Sequence, residues 1–96
     1  MKKLEEIIKI LNHHKKELEE KYKVKSLAIF GSYVMGEQSE KSDIDFLVEF
    51  KEPVAFTFIH LADFLEEILQ TEVDLITPDA IKPNRQKYIM EKLVYV

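Results

Sequence analysis

Cysteine and tryptophan are absent from these 96 residues, and glycine occurs only twice. Arginine occurs once, at Arg85. Without cysteine there can be no disulfide framework and no thiolate metal site, so any metal chemistry falls to carboxylates and the three histidines. No apolar run approaches the roughly 20 residues needed to span a bilayer. The N-terminus, Met1-Lys2-Lys3-Leu4-Glu5-Glu6, enters a charged helix where a signal peptide would have an apolar core, and the expected location is cytoplasmic. Basic charge is scarce as well. Fourteen Lys and Arg against 18 Asp and Glu leave a formal charge of −4, which argues against a broad nucleic-acid-binding surface, because phosphate neutralisation supplies most of the affinity of such proteins. A hydrophobic share of 46% with 33% charged residues is that of a soluble globular chain, and the length allows one domain, residues 1–96. No internal repeat or low-complexity segment occurs.

The periodicities predict an order α, β, β, α, β, α. Leu4, Ile7, Ile8, Leu11, Leu18 and Tyr22 recur at helical spacing, so 3–22 reads as one amphipathic helix with a Lys/Glu outer face. Ser26 to Phe30 reads as a short buried strand, and a second strand runs from Asp43 to Phe50 before Pro53 ends it. Residues 55–69 carry a wide apolar stripe, including Phe56, Ile59 and Phe64, that reads as core, with a partner interface as the alternative. His60 within that stripe, and His13 and His14 beside the first one, read as structural rather than metal-binding. Glu72 to Thr77 reads as a third strand, and Pro83 suits the start of a helix continuing through Asn84 to Lys92. Val94-Tyr95-Val96 has β character and can pair with the sheet. The fold class is therefore α/β (α+β): a small mixed sheet with helices packed on it.

Against that frame the segment Gly31 to Asp45, GSYVMGEQSEKSDID, is unusual for a small domain. A strand, a tight turn and the start of a short helix would leave backbone N–H groups free, and Gly31 would let a phosphate approach them closely, with Ser32 adding a hydroxyl. Ser42 is placed to cap the turn that presents Asp43. Asp43 and Asp45 lie two apart on a strand, which puts them on one face roughly 7 Å apart at the backbone. From that separation their carboxylates can converge on one hard cation. The alternation of Ile44, Phe46, Val48 and Phe50 also fits a half-solvated strand with surface aspartates, and periodicity alone does not choose between the two readings. Aspartate is, however, depleted in strands. Asp74 is a third carboxylate inside an apolar strand; burying it unpaired would be expensive, so it needs a cation or arginine partner unless it sits at a wet edge.

Gly31-Ser32, ten residues, then Asp43-x-Asp45, resembles the signature of the polymerase beta-like nucleotidyltransferase superfamily. The short chain is similar to its minimal nucleotidyltransferase (MNT) branch, which includes MntA-like antitoxins of HEPN/MNT toxin–antitoxin pairs. The resemblance implies the family's core fold. It also implies Mg²⁺ (or Mn²⁺) held by Asp43, Asp45 and Asp74, with Asp74 as the third carboxylate on the strand after the intervening helix, and nucleotide binding by Gly31, Ser32 and Ser42. The implied activity is transfer of AMP from ATP to a tyrosine of a cognate HEPN-domain RNase toxin, which neutralises it. An antitoxin that acts by binding alone, and transfer to a small molecule, are the alternatives. Many relatives carry arginine in the segment after Gly-Ser, where this chain has Tyr33-Val34-Met35; Lys41 or Arg85 could take its place.

Overall fold

The computed structural model describes residues 2–96. In chain order it contains α1 (Leu4–His13), α2 (Lys15–Glu20), β1 (Val24–Phe30), α3 (Ser32–Met35), β2 (Ile44–Phe50), α4 (Phe56–Leu69), β3 (Val73–Ile76), a 3₁₀ turn at Pro78–Ala80, α5 (Pro83–Glu91) and β4 (Val94–Tyr95). The four strands form one mixed sheet in the order β3-β2-β1-β4. β1 runs antiparallel to β2 and to β4, whereas β2 and β3 are parallel. A parallel neighbour needs a crossover, and α4 provides it.

The helix expected over 3–22 is two helices. His14 takes φ −105° and ψ 13°, outside the helical region, and its N–H closes the first helix on Leu11 and Asn12 carbonyls. Leu18 and Tyr22, seven and eleven residues after Leu11, keep the helical period across the break and reach the same core as Ile7 and Leu11. Tyr22 stacks on Phe64 of α4 with ring centroids 4.8 Å apart, and His14 meets Phe64 edge-on at 5.5 Å.

One sheet face is closed by α1, α2 and α4. Leu27 and Ile29 from β1 and Ile44, Phe46 and Val48 from β2 pack there against Leu61, Leu65 and Leu69. Val24 joins them although it lies an odd number of residues from Leu27, because a register shift between Val24 and Ser26 turns the strand. The other face is covered only in part. Ala28, Phe30, Leu47 and Ile89 form a smaller cluster under α5, with Ile76, Ile81 and Leu93 beside it. This second cluster explains why Leu47 breaks the alternation of β2. The C-terminal residues pair as their composition suggests: Tyr95 lies opposite Ala28, Val94 opposite Ile29, and Val96 N–H donates to Leu27 at 3.0 Å.

Not all of the wide stripe of α4 is core. Leu61, Leu65 and Leu69 are fully buried, but Phe56 is 75% and Ile59 57% exposed, and His60 is exposed too, so it is not a satisfied interior histidine. Phe56, Ile59 and His60 fall on the face of α4 opposite Leu61, Leu65 and Leu69, which turns away from the core. No helix among the described residues is long and apolar enough to cross a membrane. Because Leu65 is fully buried between sheet and helices, Leu65→Ala should destabilise the domain by about 2–5 kcal/mol, read as a fall in the urea midpoint with an unchanged slope.

Candidate active site

β1 delivers the site through a single glycine. Gly31 has φ 78° and ψ −150°, a backbone conformation open essentially to glycine alone. A second constraint acts at the same atom: a Cβ there would overlap Asp45 Oδ2 and stand 3.1 Å from Asp45 Cγ. The turn is therefore seated directly on a carboxylate. Val34 and Met35 N–H groups, both at 3.1 Å, return to the Gly31 carbonyl and start α3, which ends at Gly36 in the left-handed region. Four residues carry little of a helix dipole, so what α3 offers is the unpaired N–H groups of its first turn, at Ser32 and Tyr33.

The loop that follows is held by serines. Ser42 Oγ accepts from Ser39 N–H at 2.9 Å and lies 3.3 Å from Ser39 Oγ, while Ser42 N–H donates to the Ser39 carbonyl at 3.0 Å. Ser42 thus caps the turn before Asp43, as the sequence predicts. Asp43 itself precedes β2, which starts at Ile44, and Ile44 N–H donates to the Glu72 carbonyl at 3.0 Å. That bond ties the start of β2 to the start of β3, while Val73 N–H, donating to Glu66 Oε2 at 3.0 Å, holds β3 to α4.

The register then brings the carboxylates together. Asp45 lies opposite Phe30 on one side and opposite Asp74 on the other. It shares the second sheet face with Leu47, and strand alternation places Asp74 with Ile76 on that face. Asp45 is half-buried; Asp43 and Asp74 are exposed, Asp74 on the edge strand of the sheet. Burial, then the negative charges of Asp74 and Asp43, push the Asp45 carboxyl up to about 6, with the Arg85 guanidinium pulling the other way. Among the described residues no three histidine, aspartate or glutamate side chains already form a closed ion cage. The donors are nevertheless of the kind a hard cation takes: oxygen only, with mutual repulsion that a divalent ion would relieve.

The two candidate cations fall on different sides. Lys41 lines a cavity of about 370 Å³ together with Ser42, Asp43, Tyr33 and Lys2. Arg85, by contrast, lines a hollow with Ile76 and Lys82 and acts on Asp45 through its charge. Periodicity did not reveal that α5 lies over this face, so it missed Tyr88, Glu91 and Lys92, which line a cavity with Gly31. The interruption of helical pattern at Pro78 and Pro83 was the available signal that the chain doubles back after β3.

A nucleotidyltransferase domain model matches residues 11–96, which include every one of these elements from β1 onward. The chain belongs to the nucleotidyltransferase family. A Methanocaldococcus jannaschii protein, named provisionally as a protein adenylyltransferase, is 56% identical over 98 residues, covering 100% of both chains. The protein adenylyltransferase MntA of Thermococcus cleftensis is 46% identical over 94 residues, covering 97% of this chain and 95% of the relative. A crystal structure of a toxin–antitoxin with AMP-PNP superposes with a TM-score of 0.65 at 26% identity, over 93% of this chain and 68% of that one. This nucleotidyltransferase therefore sits among MntA-like adenylyltransferases, and the mixed sheet with helices is the family's fold.

The raised Asp45 carboxyl makes a prediction for the metal-free protein. Its ordinary value is 3.8 and its folded value about 6, so the folded state bears a penalty that is absent below about pH 4, develops up to pH 6 and is complete above it. Asp45→Asn should consequently raise stability at pH 7.5 in EDTA by about 1 kcal/mol, allowing for solvent screening of a half-exposed group, with no gain at pH 4. Urea titrations at the two pH values check this. A second expectation concerns Gly31→Ala, which should lower stability by roughly 1–3 kcal/mol through its strained φ, with the loss made smaller when Asp45 is shortened in Asp45→Ala.

Proposed function

We propose that this nucleotidyltransferase is the antitoxin of a HEPN-domain RNase toxin and silences it by transferring AMP from ATP to a toxin tyrosine. The observation that carries the reading is the meeting of Gly31, Asp45 and Asp74 through strand register, with Asp43 one residue before the strand, on the incompletely covered sheet face. The named adenylyltransferase relatives and the nucleotide-bound toxin–antitoxin neighbour support it.

In this reading the β and γ phosphates lie against the N–H groups after Gly31 and the hydroxyls of Ser32 and Ser42. Asp43, Asp45 and Asp74 would hold Mg²⁺ or Mn²⁺, which when bound neutralises triphosphate charge and lowers the pKa of the attacking hydroxyl. The tyrosine oxygen attacks the α phosphorus, the bond to the bridging oxygen breaks, and pyrophosphate departs. Asp74, exposed at the sheet edge, would take the phenolic proton as general base. The acceptor in this reading is brought by a partner. The net charge of −4 suits a basic one.

A second reading, neutralisation by binding alone, is favoured by Tyr33-Val34-Met35, which offers no cation to the triphosphate. The two separate in one set of measurements. The chain should bind ATP only with Mg²⁺ or Mn²⁺, and Asp43→Asn with Asp45→Asn should abolish this while the circular dichroism spectrum stays unchanged. Asp74→Asn should retain binding and lower transfer to the co-expressed toxin by about a hundredfold or more. Metal-dependent binding that survives the double substitution would remove the active-site assignment. A wild type without nucleotide binding would leave occlusion as the function, and label appearing only on a small metabolite would point to a non-protein acceptor.

A further inference from the structure

Beside Gly31, on the side roofed by α5, lies a cavity of about 200 Å³ walled by Phe30, Met35, Tyr88 and Ile89, with Glu91 and Lys92 also lining it. Its floor is dry, since Phe30 and Ile89 are 7% and 4% exposed. Its rim is not: Tyr88 of α5 is 64% and Met35 of α3 41% exposed, and both line the cavity. The volume falls below the roughly 300–1,000 Å³ of pockets that enclose whole drug-sized ligands and suits a flat fragment whose remainder lies outside. Gly31 belongs both to this cavity and to the turn assigned to the phosphates, so one ligand with a planar apolar end and an anionic end would bridge the two.

We propose that this cavity is the nucleobase subsite, in which Tyr88 stacks on the base, Met35 packs against its other side, and Glu91 accepts a hydrogen bond from an exocyclic amine. The proposal deepens the nucleotidyl-transfer reading and rests on it. Aromatic side chains stack on any base, since every base has a π face, and a thioether makes favourable contacts with rings. Selection comes from the carboxylate. Glutamate when ionised only accepts hydrogen bonds; adenine offers an amine where guanine offers a carbonyl oxygen, which Glu91 would repel. The segment without the family's arginine thus acquires a role in holding the base, through Met35.

Binding of ATP, GTP and inorganic tripolyphosphate to the full chain, each with Mg²⁺, tests this. ATP should bind more tightly than tripolyphosphate and than GTP. Tyr88→Ala should weaken ATP roughly tenfold or more and leave tripolyphosphate unchanged, whereas Tyr88→Phe keeps the ring and should keep the affinity. Glu91→Gln, whose amide can donate to a carbonyl, should bring ATP and GTP to within a few-fold of each other. The subsite is overturned if Tyr88→Ala weakens ATP and tripolyphosphate equally, if it weakens neither, or if wild type binds tripolyphosphate as tightly as ATP. Loss of all binding in the wild type would overturn the transfer reading as well, which separates the two failures.

Discussion

Asp45 holds the centre of this molecule because strand pairing leaves it no alternative. It is flanked by Phe30 on β1 and Asp74 on β2's other neighbour, and the turn that leaves β1 lies against its carboxylate closely enough that only glycine fits. An anion gathered against two others and half-removed from water is unfavourable by itself. Such an arrangement persists only because the opposite face of the same strand is anchored: Ile44, Phe46 and Val48 are fully buried under α1 and α4. The stability invested in that face is what permits a repulsive cluster on the other.

The division of labour between the faces also orders the rest of the chain. Three helices close one side, and α5 covers only part of the other. Complete coverage would have buried the carboxylates without room for a substrate, and no coverage would have left Phe30 and Leu47 in water. α5 is short enough to shield those two residues and to wall two hollows, one beside Gly31 and one beside Ile76, with Ile89 lining both. A nucleotide and an acceptor must meet at one face, and a partial roof is the geometry that admits both.

The carboxylate face of the described domain is only partly roofed by α5. In the proposed reading, binding energy for positioning the acceptor comes from the partner that carries it, and specificity moves from the enzyme's own fold to that interface. The exposed Phe56 and Ile59 lie on α4, on the side of the sheet away from the carboxylates. They are therefore poorly placed to present an acceptor to Asp45.

Much of this was legible in order along the chain. The Gly31-Ser32 turn, the spacing to Asp43 and Asp45, the three strands and the apolar stripes are local patterns of period 2 or 3.6, and glycine and proline punctuate them. Ser42 as a cap and the pairing of the C-terminus followed from the same local rules. Three features were not legible, each for a tertiary reason. The break at His14 is marked by no helix-breaking residue and falls where His14 meets Phe64 of α4, a contact the local pattern does not show. Phe56 and Ile59 lie outside because α4 packs only its Leu61, Leu65 and Leu69 face on the core and nothing buries the opposite one. The neighbours of Gly31, namely Tyr88, Glu91 and Lys92, come from the end of α5 and the residue after it, more than fifty residues away in sequence. The sequence by itself determined which residues carry the carboxylates and which turn precedes them. Only the tertiary structure decided that Asp45 and Asp74 are register partners and that α5 overhangs them, because strand order and helix placement are set by burial summed over the whole chain rather than by any one segment.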